Sequence, residues 1–180
     1  MSAYVAFLRG MNVGGHRLTN GELRSHFTAM GFADVATFRA SGNVVFAADE
    51  RTPEQVTAHV EQGLESLLGY AVPTFIRSER EVRAIAAQQP FAPEQLRTAG
   101  GKLQVSLLGT SPTPDVRTQV LSLAGDDDAL CFGERELYWL PSGGLLESAL
   151  DLRGVDRLLG PSTMRTKGTI ELIAAKHCVG

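Results

Sequence analysis

AYVAFLRGMNVGGHRLTNGELRSHFTAMGFADVATFRASGNVVF, residues 3–46, holds the pattern that decides the fold. Residues 4–8 form an unbroken apolar run stopped by Gly10, which suits a buried strand. Thr19 and Glu22 have the spacing of a capping box, in which each side chain satisfies the other residue's backbone N–H. Leu23, Phe27 and Met30 then recur at helical spacing up to Gly31. Two further short runs, 35–39 and 43–47, meet at Ser41-Gly42 and predict a tight hairpin. The order is strand, helix, strand, strand.

Working outward, Thr52-Pro53-Glu54-Gln55 supplies an N-cap, a proline in the first turn and a capping glutamine. The helix it opens puts Val56, Val60, Leu64 and Leu67 on one face. Residues 72–76 read as a fourth strand. Ser78 and Glu81 cap another helix, with Val82, Ile85 and Ala86 inward, which stops before Pro90. Proline, glycine and small polar residues dominate 92–101, the expected linker. The pattern then repeats: a strand over 102–108, a helix from Thr113-Pro114 carrying Val116, Val120 and Leu123, and a hairpin of 129–132 with 137–140. A mostly helical stretch over 145–159 with a break expected near Gly154, a short strand over 161–165 and a last helix with Ile170, Ile173 and Ala174 inward complete it. The chain is thus read as α+β, two tandem ferredoxin-like βαββαβ units spanning 1–91 and 102–180, each with a trailing helix.

Aligning the two halves exposes an asymmetry. The first strand is displaced by 99 residues, from Ala3 to Lys102, but the first helix by only 93, from Leu23 to Val116. Six extra residues therefore lie in RGMNVGGHRL, 9–18, and lengthen the first strand-to-helix loop. Loops of that length are commonly functional.

In such a unit the end of the first strand and the turn between the second and third strands share one edge of the sheet. Arg9, Asn12, Gly14 and Gly15 then come beside Arg39, Ser41, Gly42 and Asn43. Glycines let backbone N–H groups approach a ligand, the nearby helix start adds partial positive charge, and two arginines offer forked donors. The expectation is an edge that binds a small anion, such as a nucleotide or phosphorylated metabolite. The loop lacks GK[ST] and GxGxxG, so neither fingerprint names a cofactor, and none is expected. A second anion position is expected around Thr163 and Arg165, near Lys167, Gly168 and Thr169 at a strand-to-helix turn; helix capping by Thr166 or Thr169 is the competing reading.

Composition narrows the function classes. Seventeen basic against 20 acidic residues give a net charge of -3, divided as -1 in the first 90 residues and -2 in the last 90. That balance, with no aromatic stacking pair on the strands, argues against an RNA-binding sheet. Cys131 and Cys178 stand far apart without ligand spacing, consistent with reduced thiols and a cytoplasmic protein. No apolar stretch reaches membrane-spanning length and no export signal is evident. The acidic run Asp126-Asp127-Asp128 is read as a solvated turn rather than a metal site. Tyr138 and Trp139 alternate along a strand, so one is expected in the core and the other outside. A catalytic alternative would use Arg9, Arg39 and Asn43 to stabilise negative charge, with His16 or Ser41 moving a proton.

The segments RGMNVGG, residues 9–15, and SGNVVF, residues 41–46, resemble the two most characteristic motifs of the bacterial family of domains of unknown function numbered 1697. The stretch LYWLPSGGLLESALDLRGVDRLLG, which includes Ser148, is similar to that family's second half. Near the end, where the family usually reads TTRNWNT, this chain has TMRTKGT: Thr163, Arg165 and Thr169 match, while Thr166, Lys167 and Gly168 depart. The resemblance implies an α+β fold with an internal duplication; it implies no reaction.

Overall fold

The computed structural model describes residues 1–11, 18–39, 42–49, 51–145 and 148–178. The first half runs β1 (Ser2–Leu8), α1 (Asn20–Ala29), β2 (Ala33–Thr37), β3 (Asn43–Ala48), α2 (Pro53–Leu68), β4 (Thr74–Ser78) and α3 (Glu79–Ala87). A short α4 (Pro93–Thr98) follows. The second half repeats the series as β5 (Gln104–Leu108), α5 (Pro114–Leu121), β6 (Ala129–Phe132), β7 (Glu136–Leu140), α6 (Leu152–Leu159), β8 (Ser162–Thr166) and α7 (Lys167–His177). The strands form two four-stranded sheets, ordered β2-β3-β1-β4 and β6-β7-β5-β8, in which every neighbouring pair is antiparallel. Residues 1–84 with 173–180 make one compact unit and 85–172 the other. Among the described residues no helix is long and apolar enough to cross a membrane.

Side chains close the backbone groups that helix starts leave open. Thr19 Oγ1 accepts from Glu22 N at 3.2 Å while Thr19 N donates to Glu22 Oε2 at 2.8 Å, and Thr52 with Gln55 and Ser78 with Glu81 repeat the exchange. Each such cap is worth about 1 kcal/mol. In the first unit Tyr4, Ala6 and Leu8 of β1 pack with Leu23 and Phe27 of α1 and Val56, Val60 and Leu64 of α2. Phe46 lies 4.5 Å from Phe32 and 5.3 Å from Phe27, ring centre to ring centre. Val120, Leu137, Trp139, Leu150 and Val155 form a second core. Burying each such side chain contributes roughly 1.5–3 kcal/mol.

Several details differ from the sequence expectations, each for a local reason. The hairpin is not a two-residue turn: β2 ends at Thr37, and residues 38–42 connect it to β3. Phe38 N donates to Asn43 O at 3.0 Å and Asn43 Nδ2 to Phe38 O at 3.1 Å, closing the longer loop at its base. Leu67 is 47% exposed, and Leu68, one turn after Leu64, takes its place against the core. Tyr138 and Trp139 are both buried, at 2% and 1%, because β7 is an interior strand covered on both faces.

Among the described residues of the stretch 145–159, where a mostly helical run was expected, α6 alone is helical, and it continues through Gly154. Asp151 Oδ1 accepts from Gly154 N at 2.9 Å and starts the helix there, and a side chain at position 154 would collide with that carboxylate. Asp128 is buried rather than solvated, accepting from Trp139 Nε1 at 3.0 Å and from Ser148 Oγ at 2.8 Å. The expected linker contains α4, and its Gly100 and Gly101 press so closely on the backbone of Ser142 and Gly143 that neither has space for a Cβ.

Candidate functional site

The connection from β1 to α1 takes eleven residues, 9–19, whereas β5 reaches α5 in five, 109–113. Strand pairing places the displacement between halves at 100, since Val5 faces Arg77 as Val105 faces Arg165. The helix caps Thr19 and Thr113 are 94 apart, so six extra residues remain in the first loop.

The start of that loop is tied to the β2–β3 turn. Leu8 N donates to Gly42 O at 2.8 Å, and Arg9 N donates to Pro73 O at 3.0 Å. Gly42 has φ +68, a conformation that favours glycine, and a Cβ there would stand 3.1 Å from Leu8 Cβ and 3.4 Å from Met11 Sδ. Met11 is itself buried, with its carbonyl accepting from Tyr70 OH at 2.7 Å. Asn43 is 1% exposed and holds the turn through Phe38 O.

Arg9 and Arg39 are both exposed, and among the described residues neither has a carboxylate partner. Arg39 adopts φ +57, a left-handed conformation that costs a non-glycine residue on the order of 1–2 kcal/mol. Its guanidinium lies over the Phe38 ring, 5.6 Å from the centroid, and His177 meets the same ring edge-on at 6.1 Å. His177 Nε2 is shut off from solvent without a hydrogen-bond partner among the described residues. Burial, and secondarily Lys176, holds this imidazole below its ordinary range. Asn12, Gly14, Gly15, His16 and Ser41 lie outside the described residues.

At the C-terminal turn Thr163 is buried, and Arg165 Nη1 donates to Thr163 Oγ1 at 2.9 Å and to Met164 O at 2.8 Å. Burial lowers the Arg165 guanidinium to about 10. Thr166 Oγ1 accepts from Thr169 N at 3.3 Å and so caps α7. Buried Lys167 donates to Ala86 O and to Glu171 Oε1, both at 2.7 Å.

Sequence reading overlooked Arg77. It occupies in β4 the place of Arg165 in β8, is 1% exposed, and likewise donates through Nη1 to the carbonyl before it, Ile76 O, at 3.0 Å. FIRS and TMRT in the last strand of each half carried the signal, and pairing the halves from β1 and β5 would have found it. Phe38 and His177 had no such signal, being distant in sequence and joined only by the fold.

The Asp126–Asp127–Asp128 side of the second unit borders an open cleft of about 340 Å3, also lined by Gln95, Thr98 and Ser142. Among the described residues no cluster of histidine, cysteine and carboxylate side chains could hold a metal ion.

No curated protein matches the chain. Among solved structures, the fold is similar to that of a conserved bacterial protein, SP0830 from Streptococcus pneumoniae, with a TM-score of 0.77 and 21% identity over 97% of each chain. The model of the family described as protein of unknown function (DUF1697) matches residues 1–138, and the chain, with its longer loop after β1 and the Gly42–Asn43 turn beside it, belongs to that family.

Proposed function

We propose that the chain is a binding protein holding a small phosphate- or nucleotide-like anion where the loop after β1 meets the β2–β3 turn. The observation that carries this reading is the Leu8 N to Gly42 O bond, which joins the segments bearing two exposed arginines with no carboxylate partner among the described residues. Arginine offers a rigid fork of donors suited to phosphate, and an arginine not already neutralised is available to a ligand. Asn12, Gly14, Gly15 and Ser41 belong to the same proposed site, and Gly42 and Asn43 fix its turn. Thr163 and Arg165 remain a second proposed anion position, subordinate because Arg165 already bonds to its own strand.

In this reading each half, 1–91 and 102–180, is a ferredoxin-like unit and the pair arose by duplication; the shared element and strand orders support it. A cytoplasmic setting fits the two free cysteines.

Thermal unfolding with inorganic tripolyphosphate, adenosine triphosphate and ribose 5-phosphate tests the reading. A ligand at 100 times its Kd stabilises the wild type by about 2.7 kcal/mol. The Arg39→Ala variant is expected to lose most of that shift. Equal shifts in both proteins would remove Arg39 from the site, and no shift with any probe would overturn the reading.

A further inference from the structure

Resting on the anion-binding reading above, we infer that the ligand carries a planar heteroaromatic ring beside its phosphates, a nucleotide rather than a simple phosphate, and that Phe38, Arg39 and His177 form the shelf for that ring. Three observations converge on these residues.

Arg39 is held in a left-handed backbone conformation, a strain that a solvated surface arginine has no need to bear. That conformation accompanies a guanidinium lying over the Phe38 ring at 5.6 Å, giving an exposed, flat, cationic layer. Guanidinium planes and aromatic rings are the surfaces on which bases stack, and the stack tolerates different bases because every base has a π-face.

The shelf is also rigid. The Phe38 backbone is tied twice to Asn43, at 3.0 and 3.1 Å, and the His177 ring buttresses Phe38 edge-on at 6.1 Å. With Nε2 enclosed and lacking an acceptor, His177 favours its neutral form and contributes a ring rather than a charge. A preorganised platform loses little side-chain entropy on binding, the condition under which stacking adds affinity.

The second half offers a contrast, at a different position of the repeat. There Arg117 also lies over a phenylalanine, Phe132, at 5.2 Å, but its guanidinium donates to Pro112 O, Gly133 O, Glu134 O and Ser111 Oγ. The same pairing is thus built once as a structural staple, and once, at Phe38–Arg39, with no described acceptor for the guanidinium. A small ligand is favoured over a nucleic-acid strand because the chain carries a net charge of -3.

Isothermal titration of the purified chain with adenosine triphosphate, guanosine triphosphate, inorganic tripolyphosphate and a single-stranded decanucleotide tests the inference. At least one nucleotide should bind roughly tenfold tighter than tripolyphosphate. Phe38→Leu, which keeps apolar volume but removes the π-face, should erase that advantage while leaving tripolyphosphate affinity unchanged. Arg39→Ala should weaken nucleotide and tripolyphosphate together. If tripolyphosphate binds the wild type as tightly as either nucleotide, the shelf is refuted while the anion edge stands. If only the decanucleotide binds, the small-ligand assignment is overturned, and if nothing binds, shelf and edge fail together. Thermal unfolding of Phe38→Leu establishes that it is folded, and the comparison among wild-type probes needs no variant.

Discussion

The two halves share an order of elements and an order of strands, yet they treat the same corner of the sheet differently. In the second half the five-residue connection 109–113 is closed: Leu108 N donates to Arg135 O at 2.9 Å, and Arg117 bonds four acceptors around it. In the first half the equivalent bond, Leu8 N to Gly42 O, is kept, but the connection is six residues longer, and Arg9 and Arg39 have no carboxylate partner among the described residues. A repeated fold therefore supplies its own reference, since a feature that both halves share is accounted for by folding alone. The unmatched features, the longer loop, the strained Arg39 and the exposed Arg9, are the ones on which the proposed site is built.

The largest effect expected from this contrast falls on Arg117. Arg117→Ala removes the donor from the half-buried carbonyls of Pro112 and Gly133 and should cost about 2 kcal/mol of stability in urea unfolding. Arg39→Ala, whose guanidinium has no described hydrogen-bond acceptor, should change stability by no more than about 0.5 kcal/mol. Equal losses for the two variants would make Arg39 another staple and dissolve the contrast.

A smaller effect is a pH dependence confined to the first unit. Burial lowers the folded-state value of His177 below its ordinary 6.5, so the unfolded chain binds more protons across the interval between the two values. Stability from this group is complete above about pH 6.5 and is lost as pH falls toward the folded value. Wild type should therefore show a urea midpoint that drops on acidification more steeply than that of His177→Phe, which retains the ring packing on Phe38. Parallel curves for the two proteins would show that His177 titrates as it does in the unfolded chain.

How much of this was legible in the sequence follows from the range over which each feature is determined. Capping boxes at Thr19–Glu22, Thr52–Gln55 and Ser78–Glu81 are local, and the structure forms all three. The six-residue difference between halves was readable because repeat alignment needs no coordinates. Burial on both faces was not: Tyr138 beside Trp139 looks like an alternating strand, and only the covering of both faces of β7 buries the two together. Side-chain capture was equally hidden. The bond from the Asn43 amide to Phe38 O has no signature in the sequence, and Asp128 reads as solvated until Trp139 and Ser148 converge on it. Half of the candidate edge was thus visible as residue types, while the Phe38–Arg39–His177 cluster required the fold.

The central claim is that the first half's open corner, and not its closed twin, receives an anion. Titrating the isotopically labelled chain with inorganic tripolyphosphate and following its backbone amide resonances tests this most directly. The account predicts progressive, saturable shifts at Arg9, Arg39, Gly42 and Asn43, with the amides of Gly109, Thr110, Ser111, Thr113 and Arg165 unmoved. Shifts centred on 109–113 or on Arg165, or none at saturating ligand, would contradict it.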